Sequence, residues 1–366
     1  MAQQNLHGNT YYVCSKDAAE PLPWEPWEDL RKDGETPAYL NRVTANMARG
    51  LEISGLTFYF TSDVNRLPSY GQNVVAVVLG DESCRIPRYV HKVRVVFKCY
   101  GTVLARGSAL SPMAPFGLLT LLHFGKNWLR RLPSVLHFRS QQLRAALARQ
   151  PLRQNIYDIP IGYSNQLDLP MKEMAARPYD IGFAGSINHE AYRVWSPKFY
   201  LGTPKSRSRR RMIQSVEEIA RQHPEYRVKL SITSSFRESR TADARAYSEE
   251  LMDTKVCLVP RGASLETYRF FEAIRYGCVV VTEALPPRWF YDGSPAVQVE
   301  DWGMLPRVLP ELLDEATLER MHQESLRWWT TTCSEAAVGA YMAEMLNRTA
   351  EKLPPGGATV AGRHDR

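Results

Sequence analysis

The pattern of apolar and polar positions divides the chain into two alternating series of strands and helices. In the first, runs rich in Val, Tyr, Phe and Thr predict strands at Thr10–Cys14, Leu56–Ser62, Asn73–Leu79 and Val93–Tyr100. Helical periodicity runs over Ala38–Glu52, Pro115–Arg131 and Ser140–Arg149. Ile156–Tyr163 then leads into a polar stretch, Ser164–Arg177, expected to connect two domains. The second series opens at Tyr179 with the strand DIGFAGSI and continues with a basic helix over Ser208–His223, a strand over Arg227–Thr233 and a helix over Ala242–Asp253. A strand–loop–helix–strand unit follows at Val256–Val281. A short strand at Ala296–Val299 and helices near Trp302–Leu313, Glu315–Thr331 and Ser334–Lys352 close the series. The expected fold class is α/β, with two doubly wound Rossmann-like domains, 1–165 and 166–352, facing across a cleft, and a disordered tail at 353–366.

The unit at Val256–Val281 reads VCLVPRGASLETYRFFEAIRYGCVVV. A strand, a polar loop, a helix stopped by Gly277 and a second apolar strand make a βαβ unit, and such units bind ligands at the carboxyl ends of their strands. That end presents Arg261, Gly262, Ser264 and a helix start, groups suited to a phosphate, while the helix carries one acid, Glu272, able to meet a ribose. Arg261 and Glu272 are expected to line one crevice.

Charge and cysteines narrow the setting. The 366 residues carry a net charge of +7, read either as a solvated surface or as a preference for anionic partners such as a nucleotide diphosphate, a phospholipid surface or a nucleic acid. Six scattered cysteines, Cys14, Cys84, Cys99, Cys257, Cys278 and Cys333, show no metal-ligand spacing and are expected to be reduced and structural, which favours a cytoplasmic chain. MAQQNLHGNT has neither a basic nor an apolar signal region, and the longest apolar run, Phe116–Phe124, is too short to span a bilayer.

CLVPRG followed by RFFEAIRYGCVVV resembles the C-terminal signature of exostosin-like glycosyltransferases, and the upstream IPIGYSN and YDIGFAGSI segments are similar to that group's linker and first C-domain strand. The resemblance covers Ile156 to Glu283 and is weak in the N-terminal half. It implies the two-domain GT-B fold, a nucleotide-sugar donor held by the C-terminal domain, and a glycan or lipid-linked acceptor. Val280 stands where the family's pattern has proline, and the membrane anchor usual in eukaryotic members is not visible, which points to a bacterial-type member, cytoplasmic or peripheral at the inner membrane face. Retaining GT-B enzymes commonly carry two glutamates eight positions apart. Here Glu272 matches the second, but the first position falls on Ser264, and Glu266 lies only six residues away. The broken pair favours an inverting enzyme.

The expected donor site comprises Gly185, Ser186, Arg210, Arg211, Arg261, Ser264, Tyr268, Arg269 and Glu272. The resemblance implies that Glu272 accepts hydrogen bonds from the ribose hydroxyls. Arg261 and Arg269 are suited to clamping a diphosphate, and Tyr268 is equally readable as a packing residue. The run Lys205, Arg207, Arg209, Arg210 and Arg211 opens a helix, where cations are unfavourable unless an anion sits there. One or two of the five, with Arg210 or Arg211 first, are expected to contact the pyrophosphate and the remainder to be solvated. Gly185 and Ser186 end a strand and permit close approach of a ligand to the backbone.

Inverting transfer needs a base, which in this fold comes from the N-terminal domain. Asp81 and Glu82 end the strand NVVAVVLGDES and are the catalytic candidates, against the alternative of loop or capping acids. Asp63 and His91 are held in reserve. With arginines available to neutralise charge, no metal or cofactor is expected. FGKNWLRRLPSVLHFR, Phe124–Arg139, mixes aromatic and basic residues and is readable either as a peripheral membrane contact or as core packing with a solvated basic face. The rival readings are a retaining transferase, a non-catalytic glycan- or nucleotide-binding module, and a nucleic-acid-binding protein, the last lacking any recognition motif.

Overall fold

A computed structural model describes residues 8–15, 20–26, 38–105, 117–150, 152, 155–164, 167–187, 202–233 and 244–350. The expected tail at 353–366 and the boundary at 165–166 lie outside them.

The N-terminal sheet has six strands: β1 (Thr10–Cys14), β2 (Leu22–Pro23), β3 (Thr57–Thr61), β4 (Gly71–Val78), β5 (Val93–Lys98) and β6 (Ile156–Asp158). Their order is β2-β1-β3-β4-β5-β6. All pairs are parallel except the edge pair β1–β2, which is antiparallel. β4 is buried from Val74 to Val78, the near-continuous apolar run expected of a strand covered on both faces. Helix α1 (Ala38–Gly50) contributes Tyr39, Leu40, Val43 and Met47 to one face, while α2 (Gly117–Leu147) sends Val135 and Phe138 toward the other.

Sequence periodicity predicts two helices where α2 is one. Pro133 removes a backbone donor and breaks the pattern, yet the helix continues through it. Tertiary contacts hold this turn: Ser134 Oγ donates to Arg131 O at 2.7 Å and accepts Ile86 N at 3.0 Å, and Arg131 Nε reaches Thr102 O at 2.8 Å.

The C-terminal sheet comprises β7 (Tyr179–Ser186), β8 (Val228–Thr233), β9 (Thr254–Val259), β10 (Val279–Thr282) and β11 (Val297–Gln298), all parallel. The order β11-β10-β9-β7-β8 means that the chain steps from β7 outward to β8, then returns to the other side of β7 as β9. This reversal makes a topological switch point between β7 and β9, where open parallel sheets leave a crevice at their carboxyl ends. Helices α3 (Pro204–Gln222), α4 (Ala244–Met252) and α5 (Tyr268–Arg275) connect the strands. Gly277 ends α5 at φ +68°, a conformation that favours glycine after a helix.

Helices α6 (Leu305–Leu312), α7 (Glu315–Trp328) and α8 (Glu335–Ala350), with a π-helical turn at Trp329–Cys333 before α8, finish the fold. α8 leaves the C-terminal sheet and packs on α1. Asn347 fixes this return, donating to Gly50 O at 2.9 Å and accepting Glu52 N at 3.0 Å. One apolar core runs unbroken from Phe58, Val75 and Phe97 of the first sheet to Cys257, Phe270 and Phe271 of the second. Two α/β sheets, parallel but for the β1–β2 edge pair, face each other across a cleft, with the last helix crossing back to the first half.

Candidate functional site

Between the two sheets, at the β7/β9 switch point, lies a cleft of about 520 Å³. From the C-terminal domain it is lined by Gly185, Ser186, Lys205, Arg209, Ser264, Tyr268, Arg269 and Glu272, and from the N-terminal domain by Glu82, Tyr100, Lys126 and Arg130.

Three cations converge on the end of β7. Thr203 caps α3 through a reciprocal box with Ser206, with Pro204 in the first turn, so helical geometry is in force from Lys205 onward. Arg209 falls in register with Met212, Val216 and Ile219 on the buried face, and Lys205 sits one turn before it. Arg209 donates to Ser186 O at 2.5 Å and to Arg261 O at 3.3 Å, and Lys205 Nζ donates to Ser186 Oγ at 3.2 Å. Arg269, from the first turn of α5, stacks its guanidinium 4.8 Å from the centre of the Phe183 ring, with Arg209 at 5.8 Å from the same ring. Arg269 Nε is buried without a hydrogen-bond partner among the described residues.

Burial, with Arg209 and Arg269 adding repulsion, pulls Lys205 down to about 8. Burial and Arg269 pull Arg209 down to about 9. Cations held this way favour an anion between them.

On the other wall Glu272 is buried, its oxygens accepting Ser164 N at 3.1 Å and Tyr247 Oη at 2.7 Å. The interdomain connection and α4 therefore aim this carboxylate. Glu82 stands exposed at the cleft mouth. The concave surroundings nonetheless desolvate its carboxyl and push it above its ordinary value, with Lys205 opposing and Asp81 adding to the rise.

Four expected residues lie elsewhere. Asp81 is buried outside the lining, with Lys98 Nζ at 3.1 Å and Arg85 Nε at 2.9 Å. Burial alone would raise it, but these cations hold it below the usual carboxylate range. Arg210 is exposed, and Arg211 pairs with Asp301 at 3.6 Å, because positions 210 and 211 rotate off the face that carries 205 and 209. Arg261 lines a smaller adjoining recess, so the expectation that it shares Glu272's crevice gives way to Lys205, Arg209 and Arg269 as the cations at the β7 end of the cleft. Of the reserve candidates, neither His91, stacked on Phe138 at 5.1 Å, nor Asp63 lines it.

Sequence reasoning assigned no role to Glu266, which lines both the cleft and the recess. It is 3 % exposed and accepts Tyr100 N at 3.4 Å through Oε1, with Arg288 Nε 3.9 Å from Oε2. Burial pushes its carboxyl up to about 7 despite Arg288. Its partners come from distant parts of the chain, and no local pattern announces them.

The family described as the RXYLT1 C-terminal domain matches residues 175–288, the span that carries β7 to β10 and the three converging cations. No curated protein sequence matches the chain. Among solved structures, the chain is similar to the GtfA/B complex, with 12% identity over 77% of this chain and 58% of that one and a TM-score of 0.42. It is also similar to sucrose-phosphate synthase from Thermosynechococcus elongatus, with 13% identity, 92% and 82% coverage and a TM-score of 0.39. The spinosyn forosaminyltransferase SpnP gives 14% identity, 75% coverage of each chain and a TM-score of 0.33. The chain thus spans little more than half the length of the first of these.

Proposed function

We propose that this chain is a glycosyltransferase that moves a sugar from a nucleotide-sugar donor to a hydroxyl of a glycan or lipid-linked acceptor. The observation that carries the reading is the convergence of Lys205, Arg209 and Arg269 on the end of β7, opposite a buried and oriented Glu272, within one cleft. The cations suit a diphosphate, which gains negative charge as it leaves, and Glu272 suits the ribose hydroxyls. Because these side chains already supply the neutralising charge, the departure is proposed to need no divalent metal.

The transfer is proposed to invert the anomeric centre. Glu82, at the acceptor side with a raised pKa, accepts the proton of the attacking hydroxyl as the new glycosidic bond forms and the bond to the diphosphate breaks. Glu266, also in the cleft, favours a second reading in which a buried acid on the donor domain takes part. The anomeric configuration of the product separates an inverting from a retaining course.

The test is a thermal-shift panel of UDP-, GDP-, CMP- and dTDP-sugars, with Arg209→Ala and Arg269→Ala as controls. A donor should raise the melting temperature of the parent and raise that of each variant less at the same donor concentration. A flat response across the panel would remove the donor reading. Glu82→Gln that keeps both donor binding and transfer would remove Glu82 from the chemistry, and donor binding without any transfer would favour the non-catalytic module.

A further inference from the structure

Among the described residues, helix α2 carries an apolar stripe that packs on nothing and that donor binding does not explain. Leu122, Leu129, Leu136 and Leu143 recur every seven residues, and each is between 59 and 63 % exposed. Leu121 and Trp128 are also exposed beside them. At about 100° per residue these six side chains fall within an arc of about 120°. That arc lies away from Thr120, Ser134 and Phe138, which face the protein. A helix of 31 residues, about 46 Å long, thus shows water a continuous leucine ridge.

The charge around the ridge names its partner. Between Ser83 and Tyr157 the sequence has thirteen lysines and arginines and no aspartate or glutamate. The rest of the chain, with 33 basic and 39 acidic residues, is net negative, so the protein's excess of positive charge belongs to this one segment. Lys126, Arg130, Arg139 and Arg144 are exposed on α2 itself. A second copy of the chain would bring these like charges together with no acid on the helix to pair them, which disfavours a leucine-zipper contact. No described helix is long and apolar enough to cross a membrane.

We infer that α2 is an in-plane docking surface for an anionic phospholipid bilayer, its leucine ridge entering the headgroup–acyl boundary while its cations meet lipid phosphates. Leu121, Leu122, Gly125 and Leu129 line a shallow depression shared with Lys126 and Arg130, and those two cations also line the donor cleft. Docking would therefore set the mouth of the cleft at the bilayer surface, where a lipid-linked hydroxyl is presented. The surface stands independently of the donor reading.

The experiment is flotation of the full chain with phosphatidylcholine vesicles, with and without about a third phosphatidylglycerol, across a salt series. Binding should be at least about tenfold greater on the anionic vesicles and should fall as salt rises. Leu129→Ser/Leu136→Ser/Leu143→Ser and Arg139→Gln/Arg144→Gln should each lose about tenfold in binding, with melting temperature and thermal response to a nucleoside diphosphate preserved. No flotation of the parent, or equal flotation of parent and variants, would overturn the inference. So would a lipid-free dimer dispersed by the leucine substitutions, which would give the ridge to a second copy. Flotation that persists while the nucleoside diphosphate has no thermal effect would sink the donor reading alone.

Discussion

Gly185 and Arg269 occupy adjoining space at the end of β7: a Cβ built on Gly185 would lie 2.3 Å from Arg269 Nη2. The glycine, at φ +151°, is what lets the guanidinium lie over Phe183. Gly185→Ala should push Arg269 out of the cleft and weaken nucleoside-diphosphate binding about tenfold, a change of one charge-assisted contact. Titration calorimetry of parent and variant against UDP and GDP checks this, and unchanged affinity would show that Arg269 does not touch the diphosphate.

Lys205 gives the same binding a pH signature. Its pKa in the free protein is about 8, below an ordinary 10.5, and an anion favours its protonated form. Binding at pH values above about 8 must therefore take up a proton, so affinity should fall by up to about tenfold per pH unit there. Lys205→Met should bind more weakly at neutral pH and lose the part of this dependence that sets in near pH 8, leaving only the fall that Arg209 adds near 9. A parent protein with constant affinity from pH 7 to about 9.5 would contradict the assignment.

Glu266 should leave its mark on stability. The folded chain holds its proton up to about pH 7, whereas an ordinary glutamate releases it near 4.5. Between these values the unfolded state binds fewer protons, so stability falls as pH rises through the window, by up to about 3 kcal/mol, and the loss is complete above pH 7. Denaturant unfolding of Glu266→Gln at pH 5 and pH 8 should show a correspondingly smaller difference between the two conditions than the parent shows. Equal differences would mean that Glu266 ionises normally.

Tyr247 should act on the nucleoside and not on the phosphates. Its hydroxyl supports Glu272 at 2.7 Å. Tyr247→Phe should weaken UDP binding about tenfold, the lower end of the worth of one hydrogen bond to a charged group, while leaving inorganic pyrophosphate unaffected. Equal losses for both ligands would place Glu272 nearer the diphosphate than the ribose.

The parts of this arrangement that were readable from sequence are those encoded by neighbouring residues. β7, β9, α5 and β10 fall where apolar runs, a polar loop and Gly277 put them, and Ser264, Tyr268, Arg269 and Glu272 follow from that frame. The basic run before α3 was visible, but which of its members face inward depends on where the Thr203 cap starts the helix, and a shift of one residue exchanges Arg209 for Arg210. Helical periodicity stops at Arg131 and resumes at Ser140, across the middle of α2, because local propensity cannot register the contacts of Ser134 and Arg131 with other segments. Asp81 and Glu82 are adjacent in sequence and opposite in environment: one is locked to Lys98 and Arg85 below the sheet edge, the other stands at the cleft mouth. Only the fold separates them.

The return of α8 to α1 has a consequence for how the two halves depend on each other. Because the last helix covers the N-terminal sheet's own helix and one core threads both sheets, each half leaves apolar surface bare without the other. A fragment ending before Ser334 should strip the first half of a wall and lay Val43 and Met47 bare to solvent. The same seam ties the halves together beside the cleft, so any change that loosens α8 from α1 bears on both walls of the switch point.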